Sequence, residues 1–515
     1  MKKIILEWKY TALVFIGILV LGLTLRLINL TILPVFADEA IYIRWSQVMA
    51  HEPTLRFLPL SDGKQPLFMW ILMFFVHRLP DPLFVGRLVS VFSGLGTIIG
   101  IFTLSYIIFK SKLVSLVGSL IWVIMPFSLL FDRMALVDSL LAMFGVWTVV
   151  FASLTSKLTR LDLAMITGFA LGGALLTKSP AIFFVLMLPT AILFTKFSKH
   201  RPFHLIKLAC LLGVIYLIGF AMYNILRLGP NFHLIGQRNI DYVWPITHIF
   251  ESPFDPLKSH FQGSLIYLWE MGPAPIFALI ILGIILNLKK NWQAILFLGM
   301  WGTIPIIINS EYAKVLTARY ILFCVPFLII LAAGSFNTKK DLFKKLAFLF
   351  LGIYIISALW FDYLLLTTPE IAPLSRSERS GYLEEWTAGT GIKQVSEYLK
   401  LEHLKDPEKQ IVVGTEGYFG TLPDGLQIYL EGIPKVVVVG VGLGIDKVHP
   451  SLVESKKAGN KTYLVANSSR LNFTKPFEES GLKIVASYKK ANRPPALREW
   501  VQHGPYDTFY LFEVQ

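Results

Sequence analysis

Long apolar runs recur from Thr11 to about Leu366 and then stop, which divides the chain into a membrane part and a soluble part. Eleven runs are expected to cross the bilayer as helices: near 11–28, 83–109, 113–130, 135–153, 163–176, 180–195, 208–225, 264–288, 292–309, 318–334 and 346–366. A further apolar stretch, Pro66 to Leu79, is flanked by Lys64 and His77-Arg78. Its length of about 14 residues suits an interfacial or re-entrant helix better than a crossing, which needs about 20. Beyond Leu366 the pattern changes to short strand-like apolar runs alternating with helical ones. Strands are expected at Gln410–Gly414, Val436–Val439, Thr462–Val465, Lys483–Ser487 and Thr508–Glu513, and helices at Gly391–Leu401 and Leu452–Lys457. The chain therefore reads as a polytopic α-helical membrane domain over residues 1–366, with a first external loop at 29–82, followed by a soluble α/β domain over 367–515.

Charge decides the orientation of the spans. With the N-terminus inside and eleven alternating crossings, 17 basic residues fall in short cytoplasmic segments, among them Lys110, Lys157, Lys196, Lys199, Lys289 and Lys340. Only three acids, Glu7, Asp162 and Asp341, share that side. The rest of the membrane region carries 13 basic and 13 acidic residues, and residues 367–515 carry 18 of each. The whole formal net charge of +14 thus sits where the positive-inside rule wants it. Counting Pro66–Leu79 as a span would scatter these lysines over both faces. The expected arrangement is a multi-pass plasma-membrane protein with a cytoplasmic N-terminus and an extracytoplasmic C-terminal domain.

Composition adds exclusions. At 54% hydrophobic and 16% charged, with mean hydropathy +0.60, the chain is far from a soluble protein, which carries about 25% charged residues. The neutral soluble part offers no basic stripe, so nucleic acid is excluded as a partner. The apolar stretch from Thr11 to Ile28 exceeds the roughly 7–15 residues of a signal-peptide core and lacks a small-x-small cleavage site, so it reads as a retained anchor. Both cysteines, Cys210 and Cys324, lie in apolar runs and provide neither a disulfide framework nor a thiolate metal site.

With this orientation the polar residues of interest gather on the outer side. Asp38-Glu39 opens an amphipathic helix, Ala40 to Met49, whose Ile41, Trp45 and Val48 are expected to rest on the membrane. Acids in a first helical turn are favoured by the helix dipole, so the pair has a structural explanation as well as a chemical one. Asp62-Gly63-Lys64-Gln65-Pro66-Leu67 is a turn that delivers a lysine, either snorkelling or meeting a phosphate as a point charge. Phe131-Asp132-Arg133 and Asp138-Ser139 place an arginine and an acid at a helix start. Asp138 is followed by Leu140-Leu141-Ala142-Met143 and is expected to face protein or a cavity rather than lipid.

The order of these elements resembles a known family. The first span is followed by Asp38-Glu39, Lys64-x-Pro66-Leu67, Gly86-Arg87-Leu88-Val89-Ser90, Arg133-x4-Asp138, Leu176-Thr177-Lys178-Ser179-Pro180, and Lys314-x4-Arg319-Tyr320-Ile321-Leu322. This is similar to the GT-C-fold glycosyltransferases that use polyprenyl-phosphate sugars, and within them to the protein O-mannosyltransferase and lipid A aminoarabinose transferase group. The match is good over residues 1–200. It departs from the family at Lys64-Gln65-Pro66, where two prolines are usual. The resemblance implies Asp38 as general base on the acceptor, Glu39 as its support, and Asp138 as a second acid that positions Arg133 or the acceptor. It implies Lys64 near the donor phosphate, with Arg87 and Arg133 assisting there or anchoring the loop, and Lys178, Lys314 and Arg319 lining the lipid-phosphate cavity. It implies a polyprenyl-phosphate sugar as donor, a protein, lipid or glycan as acceptor, and no metal or other cofactor. A transporter or flippase of lipid-linked sugars is the rival, but ionisable groups cluster at the outer surface and no internal repeat is visible.

Two features lie outside that resemblance. Gly440-Val441-Gly442-Leu443-Gly444 follows a strand, but its spacing is not that of a dinucleotide-binding turn. The segment Ser380 to Gly391 is richer than a linker requires, and reads either as a capped connection into the next helix or as a strap over the active cavity.

Overall fold

The computed structural model describes residues 2–195 and 201–515; Lys196 and Lys199, assigned above to the cytoplasmic side, lie outside them. The protein is a multi-pass helical membrane protein with a C-terminal sheet domain. All eleven apolar runs become helices. Seven are long and apolar enough by themselves to cross a membrane: Glu7–Leu27, Pro82–Phe109, Val137–Leu158, Pro202–Leu228, Trp292–Tyr312, Ala318–Phe336 and Asp341–Thr367. Leu257–Met271 and Pro275–Asn287 make an eighth if counted as one span, although the chain bends by 106° between them. The other three, Lys112–Val123, Leu161–Leu175 and Ser179–Phe194, are shorter apolar helices of 10–17 residues. At about 1.5 Å per residue they fall short of a hydrocarbon core of about 30 Å, so the expected count of eleven full crossings is not reached by length. The stretch Pro66–Leu79 holds only the six-residue helix Leu67–Leu72.

The chain forms two compact units. The first comprises Met1–Asn29, Pro53–Ile71 and Arg87–Ser375, and the second Leu30–Glu52, Leu72–Gly86 and Arg376–Gln515. Two parts of the loop 29–82 therefore pack with the C-terminal region.

In the first unit, two consecutive residues lock the end of the first membrane helix. Asp132 Oδ2 accepts hydrogen bonds from Arg26 Nε at 3.0 Å and Nη2 at 2.7 Å, with both side chains fully buried. Arg133 turns the other way. Its Nη1 donates to the carbonyls of Leu25 at 3.0 Å, Arg26 at 2.9 Å and Ile28 at 2.6 Å, and its Nη2 to Asn29 at 2.8 Å. A helix leaves its last carbonyls unpaired and carries partial negative charge there, so a buried guanidinium satisfies both needs. Asp362, on the helix Asp341–Thr367, is buried as well. Arg133 thus anchors the helix end, and Arg133→Met is expected to cost at least about 2–3 kcal/mol of stability by orphaning those carbonyls. Thermal unfolding in detergent measures this.

The second unit contains a five-stranded sheet. Its strands are β1 (Ile411–Glu416), β2 (Val436–Gly442), β3 (Lys461–Asn467), β4 (Leu482–Lys489) and β5 (Thr508–Val514), in spatial order β2-β1-β3-β5-β4. β2, β1 and β3 run parallel, while β5 lies antiparallel to both β3 and β4. Every strand expected from the alternating pattern is present. Two helices, Asp424–Leu430 and Arg498–His503, were not anticipated. The core is built from Ile445, Leu452, Leu464, Leu482, Phe512 and their neighbours. Gly440 in the glycine-rich string has a packing role: a Cβ there would lie 2.2 Å from the Gly417 carbonyl oxygen, so only glycine admits the adjacent loop.

The helix that carries Asp38 and Glu39 runs from Ala37 to His51 and packs against Asp424–Leu430. Ile41 and Trp45, expected to rest on the membrane, are 4% and 6% exposed because protein covers them, and Val48 is partly buried. Gln47 Nε2 donates to the Ile428 carbonyl at 2.9 Å, and the ring of Trp45 lies 5.7 Å from that of Phe419. The amphipathic pattern was real, but its apolar face is buried in the second unit.

Candidate functional site

Asp38 and Glu39 occupy the first turn of their helix and have different surroundings. Glu39 is fully buried, and its Oε2 accepts the Phe36 backbone N–H at 3.0 Å. This is the reciprocal half of a capping box, in which a carboxylate at the third helical position turns back to an otherwise orphaned donor. Asp38 is only partly buried. Glu39 therefore fixes the helix start, and Asp38 is the less buried of the two acids.

The chain entering that helix is held by the segment Ser380–Gly391. Ala37 N–H donates to the Thr387 carbonyl at 3.1 Å, and Gly389 N–H donates to the Val35 carbonyl at 2.8 Å. Phe36 and Ala388 form an antiparallel bridge, and the Phe36 ring meets Tyr382 edge-on at 4.7 Å. Gly389 is obligatory here, since a Cβ would sit 2.5 Å from Val35. The segment is a clamp on the residues just before Asp38.

In the first unit, three of the cations expected near a donor phosphate, Lys64, Lys178 and Arg319, lie on linked turns. The turn at Asp62-Gly63-Lys64 closes a short 3-10 helix, Leu58–Asp62, with Gly63 in the left-handed conformation at φ 67°. Arg238 approaches so closely that a Cβ on Gly63 would lie 2.7 Å from it. Asp62 pairs with Arg238 Nη2 at 2.7 Å and with Lys64 Nζ at 3.4 Å. Burial pushes the Tyr242 phenol above its ordinary pKa, while the neighbouring charge of Lys64 opposes that shift.

Gln65, the departure from the expected proline pair, has a defined task. Its Nε2 donates to Ser179 Oγ at 2.8 Å, and Leu67 N–H donates to the Leu176 carbonyl at 3.0 Å. These bonds tie the turn that carries Lys64 to the turn that carries Lys178. Val137–Leu158 and Leu161–Leu175 form a helical hairpin, so the start of one and the end of the other bring Asp138 and Lys178 together.

Lys178 Nζ lies 2.6 Å from Asp138 Oδ1 and 4.3 Å from the centre of the Tyr320 ring. Asp138 is 3% exposed, and its Oδ2 has no hydrogen-bond partner among the described residues. Arg319 stacks on the same Tyr320 ring at 5.4 Å. Lys314 lies over Trp244 at 4.6 Å and donates to the Ile240 carbonyl at 2.6 Å. A short antiparallel bridge, Val243 with Ala313, fixes that segment against the helix Leu234–Tyr242.

The structure thus joins Asp138 to Lys178 rather than to Arg133, whose guanidinium is committed to helix-end carbonyls. Arg87 is fully buried within the helix Pro82–Phe109. Sequence reading missed Arg238, Tyr242 and Trp244. No spacing signals them, because Arg238 meets Asp62 across 176 positions of chain.

Residues 63–223 match the family described as dolichyl-phosphate-mannose-protein mannosyltransferase. No curated protein matches the chain as a whole-sequence relative. Among solved structures, apo ArnT from Cupriavidus metallidurans superposes with a TM-score of 0.57 at 16% identity, covering 96% of this chain and 97% of that one. ArnT from the same organism bound to undecaprenyl phosphate gives a TM-score of 0.53 at 16% identity, with 98% of each chain covered. The chain is a GT-C-fold membrane protein similar in fold to ArnT, and its residues 63–223 resemble the protein mannosyltransferase family.

Proposed function

We propose that the protein is an inverting glycosyltransferase that moves a sugar from a polyprenyl-phosphate carrier to an acceptor on the extracytoplasmic face of the membrane. The observation that carries this reading is the cationic cluster of Lys64, Lys178 and Arg319, lined by Tyr320 and Tyr242 and braced by Gln65 and Asp138. Such a cluster suits a lipid-borne phosphate whose negative charge grows as the sugar departs. Undecaprenyl phosphate is the ligand held by one of the ArnT structures above, and the same class of carrier is proposed here.

The polyprenyl phosphate is its own leaving group, so a nucleotide pocket is unnecessary. Asp38 acts as general base, taking the proton from the acceptor oxygen as it attacks the anomeric carbon in line. The bond to the phosphate oxygen breaks on the opposite side, and configuration inverts without a glycosyl-enzyme intermediate. Lys64, Lys178 and Arg319 offset the charge on the departing phosphate, with Lys314 extending the cationic lining. Glu39 holds the helix that presents Asp38, and Arg133 and Arg87 secure the surrounding helices. Lysine and arginine fill the place of a divalent cation in this transfer. The N-terminus is assigned to the cytoplasm and the C-terminal domain to the outside, on the charge distribution of the loops.

The test is to incubate the purified full chain with a radiolabelled polyprenyl-phosphate pentose or hexose and measure free polyprenyl phosphate. Slow donor hydrolysis without acceptor, accelerated by an extract of envelope lipids, glycans and proteins, is the expected result. Donor that crosses the bilayer of sealed proteoliposomes intact, with its glycosyl bond unbroken, would instead assign the chain to transport.

A further inference from the structure

One cluster in the second unit contains none of the residues given a role in the transfer proposed above. His51 ends the helix Ala37–His51, His77 follows in the segment Leu72–Gly86, and Glu431 caps the helix Asp424–Leu430. His51 Nε2 lies 3.7 Å from Glu431 Oε1, and His77 Nδ1 lies 3.6 Å from Oε2. The two imidazole centroids are 4.6 Å apart, and one ligand atom from each residue can be chosen so that all lie within 4.8 Å of one another. Three segments that are distant in the chain thus aim two imidazoles and one carboxylate at a common point.

We infer that His51, His77 and Glu431 form a structural zinc site that staples the first external loop to the C-terminal domain within the second unit. Two imidazoles and a carboxylate are a borderline-soft donor set that suits Zn²⁺, with water completing the tetrahedron. Bonds of about 2.0–2.2 Å place tetrahedral ligand atoms about 3.4 Å apart, so small side-chain rotations close the cluster on an ion. The imidazoles are 66% and 41% exposed, which leaves an entry path, while the carboxylate is 17% exposed and firmly seated. Arg44 Nη1, 3.3 Å from Glu431 Oε1, supplies the outer partner that ligating carboxylates ordinarily have. The ion is structural and takes no part in the transfer reaction proposed above.

The experiment uses the full chain without a histidine tag, stripped with chelator and titrated with ZnCl₂ at pH 7.5 by calorimetry and thermal unfolding. One Zn²⁺ per chain is expected, with a rise in melting temperature. His51→Ala and His77→Ala are each expected to weaken binding by more than the roughly 10–100-fold that loss of a supporting partner costs. As a readout needing no variant, zinc should protect both imidazoles of the wild-type chain from diethyl pyrocarbonate. Zinc binding equal in wild type and both variants, or no binding below millimolar zinc, would overturn the site. Stability that follows pH between about 5 and 8 yet ignores zinc would reassign the cluster to ion pairing alone.

Discussion

Asp38→Asn is expected to lower glycosyl transfer by about 10²–10⁴-fold, the usual contribution of a positioned general base. The substitution preserves size and leaves the clamp on residues 35–37 intact, because those bonds are made by backbone groups of Val35, Ala37, Thr387 and Gly389. Asparagine cannot accept the acceptor proton. Donor affinity and melting temperature should therefore stay at wild-type values while turnover collapses. Glu39→Gln provides the contrast: its buried carboxylate serves the Phe36 N–H, so loss of stability, rather than loss of turnover per folded molecule, should dominate. Full activity in the Asp38→Asn protein would remove Asp38 as the base and shift attention to Asp138.

The second large effect concerns Lys178. Lys178→Met removes a cation proposed to meet the phosphate and leaves Asp138 buried with no counter-charge for its Oδ1. Orphaning one member of a buried pair costs about 3–5 kcal/mol, whereas replacing both members by apolar residues is often neutral. Lys178 keeps some solvent exposure, so the lower end of that range is expected. Turnover should fall by about 10²–10³-fold, as for loss of one preorganised donor to a developing oxyanion. The double variant Lys178→Met/Asp138→Leu separates the two roles, since it should recover melting temperature and remain inactive. Recovery of activity together with stability would show that the pair is a brace and that the phosphate charge is met elsewhere.

The C-terminal sheet domain was readily legible in the sequence because strand signals are local. Val436–Val439 and Thr508–Glu513 are β-rich runs bounded by polar or glycine-rich turns, and both became strands within a few residues of their expected ends. The helix Asp424–Leu430 escaped because it is one short element rich in buried residues, without a long period to reveal it. The Ala40–Met49 pattern correctly marked an amphipathic helix but could not say what would cover it. Apolar side chains look the same whether lipid or protein lies against them, and only the fold supplied Asp424–Leu430 as the partner.

At the candidate site, residue types were legible and pairings were not. Asp138, Lys178 and Lys64 stand out because charges beside long apolar runs are costly without a purpose. That Lys178 would select Asp138, and that Arg133 would be committed to the end of the first helix, depends on contacts across 40 and more than 100 residues of chain. Gln65 illustrates the limit most clearly. Set against the resemblance it is a departure, while in three dimensions its amide bridges two lysine-bearing turns through Ser179.

The clamp formed by Thr387–Gly389 on Val35–Ala37 also bears on when the protein can become functional during its synthesis. About 350 residues separate the two strands of that bridge, and the last of the long apolar helices ends at Thr367. A nascent chain can therefore insert its membrane helices while the start of the Asp38 helix still lacks its backbone partners. Completion of that helix start waits for the ribosome to deliver the 387–389 segment. A chain truncated before it would carry all of its long apolar helices yet leave Val35 and Ala37 without these partners, so the clamp delays the finished geometry until the start of the C-terminal domain has been made.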